Sequence, residues 1–350
     1  MKTNFGILMR KLSFLTILFF QITQLFAQSG LTKNQENIKL VNSFLSSLSP
    51  DIKSKVLLPF EGTERLRWSN LPQQSYQRAG VKWNTLSNEQ RRAIHTLLRS
   101  MLSTEGYLKA VGIIETDEIR GEIMKSEQNR DAHNYSQNNY FIAVFGEPSL
   151  TQPWGWKFEG HHLSLNFTFT KNGISCTPLF TGMNPAEVLD GPLAGRRVMA
   201  VEYQTAKDLL ASMSEAQKKQ TVISAKMPDD GNNGPDVTAR TGNEPFLKTF
   251  EGISYKEMTA TQKGMILQLI NAWAGNVTPE LAKQKLEKLH KTDLDNIHFS
   301  WYGDTGDKAF YYRIHAPGMI IEFSNRLSES NHIHSVWRDL DDDFGKDLIK

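Results

Sequence analysis

The sequence predicts an α+β fold. Three observations carry that prediction: helix starts marked by capping boxes, runs of strand composition gathered in two blocks, and no regular strand–helix–strand alternation between them. Mainly antiparallel strands follow, because parallel neighbours would need regular crossover helices.

At the N-terminus, Lys2, Arg10 and Lys11 precede the apolar run Leu12 to Phe20 and the small residue Ala27. This is the order of a secretory signal peptide over 1–27. The run is too short for a spanning helix, which takes roughly 20 residues, and no cysteine is near to carry a lipid anchor. The competing reading is a buried N-terminal helix. Leu25, where a small residue is preferred, leaves the cleavage position itself open. Export predicts a periplasmic or secreted protein. Removing 1–27 takes the net charge from +2 to −1, so nothing in the composition supports a nucleic-acid partner. Cys176 is the only cysteine, so no internal disulfide forms despite an oxidising destination.

Beyond the signal, residues 28–350 read as one domain with a long loop over 227–245, or as two lobes that this stretch separates. Ile38, Val41, Phe44, Leu45 and Leu48 share a helical face that ends at Ser49-Pro50. Ile52 to Trp68 alternates poorly and reads as strand and loop. Leu86-Ser87 to Gln90, Met213-Ser214 to Gln217 and Met258-Thr259 to Gln262 each place Ser or Thr three residues before Gln, after an apolar residue. That is the capping box with its hydrophobic staple. The first of these helices is expected to reach about Ser103 and the third Trp273. Strand composition marks Tyr140 to Val144, His162 to Thr170 and Ile174 to Phe180, with a hairpin turn at Lys171-Asn172-Gly173, then Tyr311 to Ile314, Met319 to Phe323 and His332 to Trp337. The Pro/Gly/Asn-rich stretch 227–245 is the one long loop.

The chemistry concentrates in the two strand blocks, which hold five of the nine histidines. His332 and His334 are two apart, so a strand presents both imidazoles on one face with Ile333 turned to the core. That spacing suits a transition metal such as Zn, Cu, Fe or Mn. Adjacent His161 and His162 would point to opposite faces of a strand. His162 shares its face with Ser164 and Asn166 and is the third ligand of choice. Glu159 and Glu322 are the nearest carboxylates in sequence, as general base or further ligand. The alternative is a metal-free, hydrogen-bonded polar pocket. His95 reads as a packing residue, and His133, His290 and His298 as solvent-facing or capping ones.

Aromatic residues near the histidine blocks, Trp156, Tyr312 and Trp337 among them, describe either a small-molecule pocket or an ordinary core. His161 is placed in the same pocket. Arg313 and Arg338 could clamp a carboxylate there, or Arg338 could pair with Asp339 or Asp341. Asp339, Asp341 and Asp343 are not a calcium loop, since the required glycine is Phe344. Cys176 reads as a small core residue.

Several strings are familiar together: Phe145 to Pro148, Trp154 to Ser164, Asn184 to Val188 with Asp190 to Pro192, Tyr311 to Ile314, and Asn331 to Asp339. They resemble the DUF3500 family, a family of unknown function, from about Val41 to the C-terminus. The resemblance implies one domain over nearly all of 28–350 and brings no activity with it. At His315 the family is expected to carry Gln more often, so His315 stays out of the ligand set. The leading expectation is an exported protein with a His-rich metal site, a metal-dependent hydrolase or oxidoreductase acting on a small molecule. The alternative is a non-catalytic ligand-binding or structural domain.

Overall fold

The computed structural model describes residues 32–229, 236–239, 249–306, 308–326 and 331–350. The signal segment 1–27 and most of the 227–245 stretch lie outside the described residues. Eight α-helices are α1 (32–46), α2 (Pro50–Val56), α3 (Asn88–Met101), α4 (Thr104–Ser126), α5 (Ala200–Ala211), α6 (Glu215–Thr221), α7 (Ala260–Ala274) and α8 (Pro279–His290). Thirteen strands join one mixed, mostly antiparallel sheet, which makes the fold α+β. They are β1 (Leu57–Leu58), β2 (Val81–Lys82), β3 (Phe141–Phe145), β4 (Trp154–Gly160), β5 (Leu163–Thr170), β6 (Gly173–Ser175), β7 (Leu179–Met183), β8 (Val222–Ser224), β9 (Ile253–Ser254), β10 (His298–Gly303), β11 (Phe310–Ala316), β12 (Met319–Asn325) and β13 (Ile333–Asp339). The order is β1-β3-β4-β5-β7-β13-β12-β11-β10-β8, with β2 on β3, β6 on β5 and β9 on β10.

All three capping boxes form, at Ser87, Ser214 and Thr259. Glutamine rather than glutamate at the third helical position has a reason. Its carbonyl accepts from the cap backbone while its amide donates outward: Gln90 to the Ser47 carbonyl, Gln262 to that of Ser212, and Gln217 to Gln262 at 2.9 Å. A glutamate would cap but has no proton to tie the helix start to its neighbour.

Four expectations shift. Pro50 does not only end α1; it opens α2, where its missing N–H is harmless, so the start of the 52–68 segment is helical. The run 174–180 divides into β6 and β7 around Pro178, which has no N–H for the ladder. Strands β4 and β10 and the 23-residue α4 join the elements read from the sequence. In α4 apolar residues do not gather on one face, and Gly121 lets the helix approach the Tyr135 carbonyl where a Cβ would sit 2.3 Å away.

Strand alternation then divides the sheet into two unlike faces. One carries Trp154, Trp156, Phe167, Trp301, Tyr312, Phe323 and Trp337, all buried in the main hydrophobic cluster with the helices. Each such side chain contributes about 1.5–3 kcal/mol. Cross-strand pairing puts Lys157, Glu159, Ser164, His334, Glu322 and Arg313 on the other face. That face is also buried, with only small apolar clusters around Phe180 and Phe145. No helix among the described residues is long and apolar enough to cross a membrane.

Candidate metal centre

The histidine site forms where three chain segments meet at one end of the polar face. Residues 161 and 162 are not in a strand. They are the two-residue turn between β4 and β5, since Gly160 pairs with Leu163, and His162 takes a left-handed φ of 62°. The expectation that the two rings point to opposite faces therefore fails: in a turn, strand alternation does not apply, and the rings stack with centroids 3.6 Å apart. The structure does bring His162 beside His332 and His334. His162 Nε2 lies 2.9 Å from His332 Nε2 and 3.0 Å from His334 Nε2. His334 stands on β13 opposite Gly182 of β7. Gly182 is required here, because a Cβ would lie 3.2 Å from the Cδ2 atoms of both His162 and His334 and 2.6 Å from the Ile333 carbonyl oxygen.

Each ring has a definite setting. His334 Nδ1 lies 2.9 and 2.8 Å from the two carboxylate oxygens of Asp236. A carboxylate only accepts, so Nδ1 carries the proton and Nε2 presents its lone pair to the other imidazoles. Arg326 holds Asp236 from the other side at 2.9 Å. Burial works against the Asp236 carboxylate, but His334 and Arg326 together keep its pKa below the usual range. Burial, reinforced by the neighbouring imidazoles, drives His162 and His332 well below the ordinary histidine value. Both rings are therefore neutral near pH 7, the state that ligates metal. His161 Nδ1 sits 2.5 Å from Asp117 Oδ1 of α4, and the Tyr135 ring meets its edge at 5.0 Å.

Two groups of potential ligands result among the described residues, His162/His332/His334 and Asp117/His161/His162, each with its ligand atoms within 4.8 Å of one another. The first fits a metal better. Three ring nitrogens converge on one point, and a single N–H can serve only one of the two short contacts well. A tetrahedral ion with bonds near 2.05 Å keeps such nitrogens about 3.3 Å apart, so a spread of roughly 0.3 Å suffices. In the second group, His161 and His162 are stacked, so their in-plane lone pairs lie in separate, nearly parallel planes.

The remaining sequence candidates lie elsewhere. Neither Glu159 nor Glu322 belongs to either group. Glu159 is buried 4.0 Å from Arg78 and 3.8 Å from Lys157. Burial raises its pKa, against the pull of Lys157 and Arg78. Glu322 accepts from the backbone N–H of Thr238 and Ala239 at 2.6 and 2.7 Å, from the Thr238 and Tyr311 hydroxyls at 2.8 and 2.5 Å, and from Arg313 at 3.2 Å. Arg313 is thereby occupied and not a clamp, and Arg338 pairs with Asp343 at 2.6 Å rather than with Asp339 or Asp341. Trp156, Tyr312 and Trp337 line no pocket at the histidines; strand alternation turns them to the helix-covered core. There the Trp156 indole bonds Asn37 and the Tyr312 hydroxyl the Glu202 carbonyl. Cys176 is a buried core thiol, its pKa pushed up to about 11 by desolvation.

Sequence reasoning missed the carboxylates that do meet the imidazoles, Asp117 and Asp236. Asp236 lies in the 227–245 stretch, which also supplies Thr238 and Ala239 to Glu322. It also missed the opening. Half-buried His332 lines a cleft of about 890 Å³ between α4 and the 184–193 loop, together with Arg120, Asn184, Leu189 and Asn331.

The model of the DUF3500 family, proteins of unknown function, matches residues 32–346. The chain belongs to the DUF3500 family. The family match covers α1 and β1 through β13, so the whole sheet and every histidine of the site lie within the shared unit. No curated protein and no solved structure matches the chain.

Proposed function

We propose that this DUF3500 protein is a metal-dependent enzyme whose ion is held by Nε2 of His162, His332 and His334. The observation that carries the reading is the convergence of these three nitrogens at 2.9 and 3.0 Å with His334 anchored by Asp236. A carboxylate behind a ligating imidazole fixes its tautomer and raises its basicity. Three protein ligands, one of them His332 in the lining of a cleft, fit a catalytic site with an open position better than a closed four-ligand structural site. The ion would supply a Lewis acid that polarises a carbonyl or acidifies water. This chain's residues would do the rest: Asp236 and Arg326 hold His334, Gly182 leaves room for the rings, and the cleft at His332 admits the substrate.

The substrate is a small molecule, given the cleft volume. Hydrolysis is the leading chemistry if the resident ion is zinc; copper or iron would assign an oxidoreductase. Elemental analysis of untagged protein should find one transition metal per chain, and His332→Ala should lose it. Metal-free protein whose melting temperature does not rise with added Zn or Cu, in wild type and His332→Ala alike, would sink the reading. Export is part of the same proposal, supported by the order Lys2, Arg10, Lys11, apolar run, Ala27. N-terminal sequencing of protein from the periplasm or medium should read a chain starting near residue 28; recovery of intact Met1 from the cytoplasm would contradict it.

A further inference from the structure

The cleft beside His332 has a chemistry of its own. Arg120, from α4, lines it together with His332, close enough for its charge to bear on that ring. Its guanidinium lies 6.0 Å over the Tyr135 ring, the same ring that meets the edge of His161. Among the described residues Arg120 pairs with no carboxylate, and its Nε is buried without a hydrogen bond. Of the two acids nearest in sequence, Glu118 accepts from the Ser136 hydroxyl at 2.8 Å and the Gln137 N–H at 2.9 Å, and Glu122 lies 3.7 Å from Lys125. Arginine binds a carboxylate bidentately, and the buried Nε–H of half-buried Arg120 is left for a ligand to complete.

Two further features define that ligand. Ile119, Ile123, Val188, Leu189 and Leu193 line the same cleft, with Leu189 74% and Leu193 42% exposed. Exposed leucines on the 184–193 wall of a concave surface, together with the isoleucines of α4, invite an apolar body. The other charges around the cleft are acidic, Glu118, Glu122, Glu127 and Asp190, so Arg120 stands alone against them. Such a field tolerates one negative charge near the guanidinium and opposes a second.

We infer that the cleft binds a singly charged carboxylate with an apolar body, its carboxylate on Arg120 beside the histidine site and its hydrocarbon against Leu189 and Leu193. The inference rests on the proposed metal centre only for the orientation of the ligand, and the test separates the two. Full-length protein, its metal content measured first, is titrated calorimetrically with straight-chain carboxylates from butanoate to octanoate. Octylammonium and octyl phosphate are titrated as charge controls. Affinity should rise at least tenfold from butanoate to octanoate, and Arg120→Gln should lower octanoate affinity at least tenfold with metal content and melting temperature unchanged. Arg120→Lys should recover part of it, and Leu189→Ser with Leu193→Ser should flatten the chain-length series. Octylammonium or octyl phosphate binding as tightly as octanoate, or octanoate binding indifferent to Arg120→Gln, overturns the inference. Absence of metal overturns the metal reading alone, because the Arg120 dependence can be read on the metal-free chain.

Discussion

Two buried polar clusters share one face of the sheet and solve the problem of buried charge in opposite ways. Around Glu322, every oxygen faces a donor: two backbone N–H groups, two hydroxyls and the Arg313 guanidinium. Around His162, three imidazole nitrogens face one another, and the acids stand behind the rings at Asp117 and Asp236 rather than between them. The first cluster is complete and leaves nothing for a ligand. The second brings ring nitrogens together without an acid between them. The contrast teaches that density of buried charge and convergence of lone pairs are separate features of one sheet face.

The sharpest way to break the comparison is to remove a partner from the complete cluster. Arg313→Leu should cost about 3–5 kcal/mol in urea unfolding, since it strips the charge partner from a fully buried carboxylate, while metal content stays the same. The converse change, His332→Ala in metal-free protein, should move stability by less than about 1 kcal/mol, because that ring is half-buried and pairs with no charge. With metal at a hundredfold excess over its dissociation constant, wild type should gain about 2.7 kcal/mol and His332→Ala none of it. Asp236→Asn is milder: metal affinity should fall about 10–100-fold with the fold intact, as expected when the group orienting a ligand is weakened. An unchanged affinity would make Asp236 a purely structural partner.

The smallest effect is on pH. His162 and His332 have folded pKa values below that of the unfolded chain, near 6.5. The unfolded state therefore binds more protons below that pH, and stability is full above it and declines as pH falls. Melting temperatures of metal-free wild type should drop between pH 7 and pH 5, and His162→Asn with His332→Ala should reduce that slope. An identical slope in both would show the imidazoles to be solvated and the cluster open.

Part of this was legible in the chain. The three Ser/Thr-to-Gln boxes marked α3, α6 and α7, because a capping box is settled within four residues. The His-x-His spacing marked two neighbouring imidazoles, because strand periodicity needs no knowledge of the partner strand. His162 was reached by an argument that the structure replaces: it belongs to a turn, and its left-handed backbone, not strand alternation, aims the ring. The aromatic pocket was misplaced because Trp156, Tyr312 and Trp337 are near the histidines in sequence yet on the opposite face of the sheet. Glu159 and Glu322 were favoured for nearness along the chain, whereas Asp117 and Asp236 reach the imidazoles from 44 and 98 residues away.

The sequence by itself determined what depends on a few consecutive residues: helix starts, strand periodicity, the pairing of His332 with His334, membership of a family and the α+β class. Only the tertiary structure decided which face each strand buries, which acids stand behind the imidazoles and where the cleft opens. The reason is physical. Capping and alternation are set by bonds between neighbours, but the histidine cluster lies where separate segments cross, and its position depends on how β4–β5, β13, α4 and the 236–239 segment pack together.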